Sequence, residues 1–344
     1  MTDQRDVWAF RDVVTRQAPE LLREGFTERQ ARFLTTVMAH GGVFVERQYC
    51  QLGGIAHGQK SHNFVARLAR TGLAREIRPG ALHQGRCYHV HHKRLYTRIG
   101  QPNNRNRRPM PPGRMVERLM LLDAVLDDAS VTWLGTEADK TAFFDALHRD
   151  YPLRPREMPH LAFGEGATAT LRLFPDKLPI GVDRASSRYV FLYLMTRRQP
   201  MDFRMFLMRH LPLWRSLPRW TLRVLVPRPL APAQAAYERA ADEDLSRPLS
   251  PSDEPDLRWY FERRRTPAHS LAPADQTRLQ EAQRRFRGPR YLMLEQAWRE
   301  RGDSALWYVC SPGIADQVER GFATIEFVPL QRQYLHLDHL VGVA

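Results

Sequence analysis

The chain has 344 residues, of which 43% are hydrophobic and 26% are charged, an ordinary composition for folded proteins that excludes a collagen-like or wholly disordered chain. The formal net charge is +14, and +13 of it lies between Thr27 and Arg114, where sixteen Lys and Arg residues accompany only three Glu residues. This length predicts two or three domains. The confined charge predicts a module that binds a polyanion, with nucleic acid as the leading partner.

The remaining bulk features favour a cytoplasmic location. The sequence shows no signal-peptide pattern and no uninterrupted apolar stretch of membrane length. The three cysteines, Cys50, Cys87 and Cys310, are far apart and odd in number. We therefore expect a protein of the reducing cytoplasm.

Residues 1–26 form the first expected unit, an appended helix. Apolar residues at spacings typical of an amphipathic helix extend over residues 5–24, although Pro19 interrupts the later part. Such a helix either mediates formation of a homodimer or packs on the neighbouring domain, and the sequence leaves both alternatives open.

Residues 27–100 show the pattern of a winged helix-turn-helix. Thr27, with Gln30 at capping-box spacing, predicts the start of a first helix that Gly41 and Gly42 end. A second short helix is predicted from Val45 to Leu52. A third is predicted from about Ser61 to Gly72, with its apolar side formed by Phe64, Val65 and Leu68.

The residues after the third helix alternate as a β-hairpin. Leu73, Arg75 and Ile77 begin an extended run, Pro79 and Gly80 predict a turn, and the following residues Arg86, Tyr88 and Val90 resume the alternation with His89 on the opposite face. A helix-turn-helix followed at once by a hairpin predicts a wing that lies along DNA. The alternative is a basic helical domain that binds protein or serves only solubility.

The third helix is the expected recognition helix. In the major groove, Asn63 would bond adenine and Arg67 would read guanine, whereas Lys60 and Arg70 would meet phosphates. The full set of expected DNA-contact residues comprises Lys60, Ser61, His62, Asn63, Arg67, Arg70, Arg75, Arg86, Lys93, Arg94, Arg105, Arg107 and Arg108.

The last arginines of that set belong to a basic linker, predicted at residues 101–113 from its Asn, Arg and Pro content. The linker either contacts the DNA backbone or minor groove, or serves as a solvated hinge. A metal site built from Cys87, His89, His91 and His92 is disfavoured because no partner pattern completes a tetrahedral set, so we expect DNA-facing side chains in the wing.

Residues 114–228 predict an α/β domain. Helices are expected at residues 115–126, 137–149 and about 203–211, and strands at residues 131–134, 169–174, 180–182, 188–196 and 221–226. The order winged helix, basic linker, helix, strand, Pro175-Asp176 turn, apolar strand 189–194, helix and strand resembles the replication-relaxation family of mobile elements and plasmids. The resemblance covers residues 27–228 and implies a second domain related to the PD-(D/E)xK nuclease fold.

The chemistry of such a nuclease needs one Asp and, on the next strand, an acid two residues before a Lys, so that carboxylates hold Mg²⁺ and the Lys assists the attacking water. Asp176 fits the first position. Tyr193 and Met195 occupy the places of the acid and the lysine, and neither the adjacent Lys177 nor Asp183 restores the pair. The sequence therefore predicts a degenerate nuclease-like domain without a metal cofactor.

Residues 229–344 predict a C-terminal α+β region that could supply a dimer or partner surface. Helices are expected near residues 233–243, 257–264, 273–287 and 291–301, and strands at residues 306–310 and 323–328. The apolar end from Tyr334 to Leu340 is expected to pack.

The predicted fold class is therefore α/β multidomain: an N-terminal winged helix-turn-helix, a nuclease-like α/β domain and a C-terminal α+β region. The predicted function is sequence-specific binding of double-stranded DNA by a homodimer that regulates transcription or replication of a mobile element, without a cofactor and without enzymatic activity. Two alternatives remain. One is a divergent metal-dependent nuclease or DNA-processing factor, and the other is a DNA-tethered adaptor.

Overall fold

A computed structural model describes residues 13–77, 86–148, 157–164, 170–332 and 334, and shows a mixed α/β protein. Its buried apolar residues form two clusters. The smaller belongs to an N-terminal helical unit, and the larger surrounds a central sheet and the helices of the C-terminal third. The coarse expectation of an α/β chain is confirmed.

The N-terminal unit contains four helices and three short strands. In chain order they are α1 (Val13–Leu22), α2 (Glu28–His40), β1 (Val43–Val45), α3 (Glu46–Gly53), α4 (Gln59–Arg70), β2 (Ala74–Ile77) and β3 (Cys87–Val90). The strands form an antiparallel sheet of order β1-β3-β2. The three predicted helices of this unit are confirmed, whereas β1 was not predicted. The predicted Pro79-Gly80 turn lies outside the described residues.

Local signals place the ends of these helices. The Thr27 side chain accepts a hydrogen bond from the Gln30 backbone N–H, and the Gln30 side chain accepts one from the Thr27 N–H, which completes the expected capping box. After α4, Gly72 adopts a φ of 67°, a left-handed conformation that glycine adopts at low cost. The Leu73 N–H then bonds the Leu68 carbonyl, so the expected glycine end of α4 is confirmed.

The core of this unit is aromatic. The Phe64 ring of α4 lies 6.2 Å from the Phe33 ring and 4.3 Å from the Tyr49 ring, measured between centroids. Helix α1 packs against α2 and buries Ala18 and Leu21 in the same cluster. The described part of the appended helix therefore packs on its own unit, and residues 1–12 lie outside the described residues.

The segment expected to be a linker contains ordered turns. Helix α5 (Lys93–Arg98) is followed by a 3₁₀ turn at Arg105–Arg107. The Asn106 side chain is 9% exposed and donates to the Met38 and Ala39 carbonyls, at 3.0 and 3.3 Å. The alternative of a solvated hinge is therefore wrong at this position, because Asn106 joins the segment to the end of α2.

The central layer is a five-stranded sheet of order β10-β9-β8-β7-β4. Its elements, with the helices between them, are α6 (Pro112–Asp127), β4 (Thr132–Leu134), α7 (Glu137–Leu147), β7 (Ile180–Asp183), β8 (Arg188–Leu194), α8 (Met201–Ser216) and β9 (Trp220–Val226). Strands β4, β7 and β8 are antiparallel, and β8, β9 and β10 are parallel. A separate antiparallel pair, β5 (His160–Phe163) and β6 (Thr170–Leu173), lies between α7 and β7 in the chain. Strand β5 was not predicted.

Helices dominate the C-terminal third. They are α9 (Gln234–Ala241), α10 (Asp253–Arg263), α11 (Pro273–Arg285), α12 (Pro289–Arg301), α13 (Ser304–Cys310) and α14 (Gly313–Glu319), with short turns at Arg228–Ala233, Asp242–Ser246 and Ala268–Ser270. Strand β10 (Ala323–Pro329), confirmed in place, pairs with β9 and so belongs to the central sheet. Within the described part of the chain, no helix combines the length and apolar character that crossing a membrane requires.

The prediction of a strand at residues 306–310 is wrong, because these residues form α13. Leu306, Val309 and Cys310 are buried while Trp307 is 48% exposed. That burial follows the i, i+3, i+4 spacing of a helix, which a short apolar run does not distinguish from a strand before its neighbours are known.

Candidate nucleic-acid interface

Helix α4 presents a polar face to solvent because its apolar stripe, Phe64, Val65 and Leu68, is buried in the N-terminal unit. The exposed residues of this helix are Gln59, Lys60, His62, Asn63, Ala66, Ala69 and Arg70. The Gln59 amide donates to the Asn63 side-chain oxygen at 2.7 Å, so Asn63 is oriented while its amide group stays available at the surface. The placement of Lys60, His62, Asn63 and Arg70 agrees with the expected recognition face.

Arg67 does not lie on that face. Its guanidinium is half-buried, donates to the backbone carbonyls of Gly25 and Glu24 at 2.8 and 3.1 Å, and lies 4.7 Å from the centre of the Phe26 ring. The expectation that Arg67 is free in solvent to read guanine is therefore wrong. The guanidinium holds the turn between α1 and α2 against the recognition helix.

Ser61 also forms hydrogen bonds within the protein. The side chain is buried, its hydroxyl donates to the Gly58 carbonyl at 2.8 Å, and its oxygen accepts from the Gly58 N–H at 3.1 Å. These bonds satisfy groups at the start of α4. Ser61 therefore stabilises the beginning of the recognition helix rather than presenting its hydroxyl at the surface.

A groove of about 730 Å³ lies between α4 and the β2–β3 strands. His62 and Asn63 form one side of it, and Glu76 and Arg86 belong to the other, with an Arg86 to Glu76 separation of 3.9 Å. Arg75 and Arg86 are both exposed. The groove thus combines hydrogen-bonding side chains of the helix with Arg86, which directly precedes β3, whereas Arg75 is not part of its lining.

His89, the histidine of β3, does not face solvent as the sequence predicted. His89 is 1% exposed, and its Nε2 lies 2.8 Å from the Asn106 carbonyl oxygen. Burial lowers the pKa of His89, which favours the neutral ring. The expectation of a DNA-facing side chain is wrong for His89, because the 3₁₀ turn after α5 covers that face of the sheet.

Some basic residues after the hairpin form ion pairs, and others are exposed at the surface. The Glu24 carboxylate lies 2.5 Å from the guanidinium groups of both Arg94 and Arg98, and its side chain is only 7% exposed. Arg94, an expected DNA-contact residue, thus makes an intramolecular ion pair. Lys93, Arg105 and Arg108 are exposed, and Arg107 is half-buried.

A second cleft, of about 770 Å³, lies between the segment containing Arg105 and the α/β layer. Its basic residues are Arg105, Arg118, Lys140, Arg172 and Lys177. Among the described residues, no carboxylate forms an ion pair with Arg105, Arg172 or Lys177. The sequence indicated only Arg105, because the others come from α6, α7 and the β6–β7 segment.

The cations of this second cleft repel one another. Burial lowers the pKa of Lys140 to about 7, and the charge of Arg118 acts in the same direction. Partial burial lowers the pKa of Lys177 to about 8, assisted by the charges of Arg118 and Arg172. Glu137 and Asp145 also line the cleft, so its basic residues outnumber its acidic ones. An excess of positive charge at a partly desolvated cleft favours an anion such as a phosphate.

Asp176, at the place that the resemblance gives to the first acid, is held by an arginine, and the cleft beside it is also lined by Glu117 and Asp202. The Asp176 carboxylate lies 3.2 Å from the Arg209 guanidinium of α8, and its other oxygen is buried without a hydrogen bond. Burial raises the pKa of Asp176 although Arg209 and Lys140 oppose this. Tyr193 and Met195, at the places of the acid and lysine, are buried in the core.

One group that sequence analysis did not single out lies at the start of the recognition helix. The Glu46 carboxylate lies 2.7 Å from His62 Nδ1 and 3.4 Å from His57 Nε2. These three residues belong to α3, the α3–α4 turn and α4, so no regular spacing in the sequence reveals them. In the part of the chain that the structure describes, this is the group of three metal-ligating side chains whose ligand atoms converge.

Comparison with known proteins adds no relative: no family model matches the chain, and searches of curated proteins and of solved structures find no match. The interface is therefore defined by its residues alone.

Proposed function

We propose that this protein binds double-stranded DNA sequence-specifically and regulates transcription or replication of a mobile element or plasmid. The observation that carries the proposal is the face of α4, where Lys60, Asn63 and Arg70 are exposed beside the β2–β3 hairpin while the opposite side of the helix is buried. A helix exposed in this way can enter the major groove, with Asn63 at a base and Lys60 and Arg70 at phosphates.

The topology of the N-terminal unit supports a winged helix. The order α2, β1, α3, α4, β2, β3, with a sheet order of β1-β3-β2, places a hairpin directly after the third of three packed helices. In that arrangement the hairpin serves as the wing, and Arg75 and Arg86 are its exposed cations.

The central sheet supports the resemblance to the replication-relaxation family and a nuclease-like second domain. After α6, strands β4, β7 and β8 form an antiparallel series, and α8 leads to β9, which is parallel to β8. Asp176 follows β6, which pairs with β5 outside the central sheet, and β7 lies between Asp176 and β8, where Tyr193 is found. The absence of an acid and a lysine at Tyr193 and Met195 favours a scaffold over an enzyme.

Selection from a random duplex library with the full-length protein tests the proposal. Enrichment of one motif supports a sequence-specific regulator, and a palindromic motif further supports the proposed homodimer. Binding that is equal for all duplexes and depends only on salt would contradict specificity. Absence of duplex binding at low salt would overturn the proposal entirely.

A further inference from the structure

We propose that Glu46, His57 and His62 form a binding site for a divalent transition-metal ion, for which zinc is the best match. One ligand atom from each side chain lies within 4.8 Å of the other two. Glu46 begins α3, His57 lies in the turn before α4, and His62 is the fourth residue of α4. A metal ion here would tie the recognition helix to the turn that precedes it.

The geometry fits a small metal ion. Zinc binds imidazole nitrogen and carboxylate oxygen at about 2.0–2.2 Å, so neighbouring ligand atoms of a tetrahedral site are separated by roughly 3.3 Å. Glu46 Oε1 lies 2.7 Å from His62 Nδ1, and Glu46 Oε2 lies 3.4 Å from His57 Nε2, which is close to that spacing.

The ligand types select the class of metal. Imidazole favours zinc, copper, iron or nickel over magnesium or calcium, and three protein ligands leave at least one position for water. Two histidines and one carboxylate also match the ligand set of ferrous iron. The three cysteines are buried thiols and do not offer an alternative site at the surface.

The carboxylate is held ready for a cation. The Glu46 side chain is only 14% exposed, whereas those of His57 and His62 are 59% and 60% exposed. Two imidazole rings approach this one carboxylate, and their centroids lie 5.3 Å apart.

The position also has an electrostatic consequence, which rests on the proposed DNA-binding function. Glu46 contributes a negative charge to the groove beside His62 and Asn63. A divalent ion bound with two neutral histidines changes the local charge from −1 to about +1, which favours an adjacent phosphate. Metal binding would thus strengthen the contact of α4 with DNA.

Calorimetric titration of zinc into chelator-treated, full-length protein without DNA tests the site. We expect saturable binding of one ion, and His57→Ala and His62→Ala should each weaken it by at least about tenfold. His269→Ala, which removes an exposed histidine of the Ala268–Ser270 turn, is the matched control and should bind zinc as the wild type does.

Cobalt(II) gives an independent readout. We expect the wild-type protein to develop the visible absorption of a four- or five-coordinate ion, and His62→Ala to lose it while keeping the wild-type circular dichroism spectrum. Zinc binding that both histidine variants leave unchanged, or a wild-type protein that shows no saturable binding, overturns the site. Because DNA is absent from these measurements, their failure leaves the DNA-binding proposal standing.

Discussion

The Arg47 guanidinium donates two hydrogen bonds to the Asp123 carboxylate, of 2.8 and 2.6 Å, and thereby joins α3 of the N-terminal unit to α6 of the α/β layer. Gln48 and Tyr334 donate to the same carboxylate at 2.8 and 2.6 Å. Asp123 itself is 3% exposed. Four hydrogen bonds to this buried carboxylate attach the N-terminal unit, which contains α4, to the α/β layer, which lines the second cleft.

Replacement of Asp123 tests this connection. Asp123→Ala leaves three donors without their acceptor, and because Arg47 remains 38% exposed to solvent, we expect a loss of about 2–3 kcal/mol in the free energy of unfolding. Asp127→Ala, on the same helix with a carboxylate 48% exposed, should cost less than about 1 kcal/mol. Urea denaturation of both variants measures the difference, and equal losses would contradict the role of Asp123.

We expect two residues of α4, Asn63 and Arg67, to differ in what they contribute, Asn63 to DNA binding and Arg67 to stability. Asn63→Ala should weaken binding to the selected site by about 1–3 kcal/mol and binding to random duplex by much less. Arg67→Ala should instead lower the free energy of unfolding by about 1–2 kcal/mol, because the guanidinium bonds the Glu24 and Gly25 carbonyls. Gel shifts on both duplexes measure the affinity of each variant, and thermal denaturation measures its stability. If Asn63→Ala lost the same affinity for both duplexes, Asn63 would be a phosphate contact.

The segment after α5 should contribute to salt dependence. Arg105 and Arg108 are exposed, so the double variant Arg105→Gln/Arg108→Gln should flatten the slope of log affinity against log salt by up to about 2 if both contact phosphate. The control is Arg284→Gln/Arg287→Gln, which makes the same charge change at exposed positions of the C-terminal third. An unchanged slope in the first variant would remove this segment from the interface.

Much of the fold followed from local signals. The capping box at Thr27, the left-handed Gly72 and the apolar strands of the central sheet are visible in the sequence because each depends on neighbouring residues. Strands β1 and β5 contain only three and four residues, too few to show an alternating pattern. Helix α13 was mistaken for a strand because a helix of seven residues is too short for its periodicity to be recognised in an apolar run.

The candidate site was predictable only in part, for a related reason. Helical periodicity identifies the exposed face of α4, but not which polar side chains the protein itself uses. The Arg67 guanidinium donates to carbonyls 42 and 43 residues away in the sequence, and the His89 ring bonds a carbonyl 17 residues away. The convergence of Lys177 with Arg118 likewise depends on long-range packing.

The nuclease-like position should be inactive. The Asp176 carboxylate is paired with Arg209, and Tyr193 and Met195 stand where the acid and the lysine would hold Mg²⁺ and orient a water. We expect no cleavage of plasmid or linear DNA with Mg²⁺ or Mn²⁺, and nearly unchanged DNA affinity in Asp176→Ala. Cleavage that copurifies with the wild-type protein and disappears in Asp176→Ala would establish an enzyme instead of a regulator.

Acid should destabilise the protein through buried His210. Its ring lies in an aromatic cluster, 4.0 Å from Phe206 and 5.3 Å from Trp214 between centroids, and burial lowers its pKa from 6.5 to about 3. The unfolded chain therefore binds the proton more tightly. The stability that the neutral ring contributes is complete above pH 6.5 and is lost as the pH falls toward 3.

The expected size follows from about 1.4 kcal/mol per pH unit. Relative to wild type, His210→Phe should therefore retain about 3 kcal/mol more of its neutral-pH stability at about pH 4.5, because phenylalanine occupies the aromatic cluster and takes up no proton. The control is His269→Phe, which replaces an exposed histidine and should keep the wild-type pH dependence. Urea denaturation between about pH 4.5 and 7.5 measures all three proteins. A wild-type slope in His210→Phe would show that His210 is protonated in the folded protein.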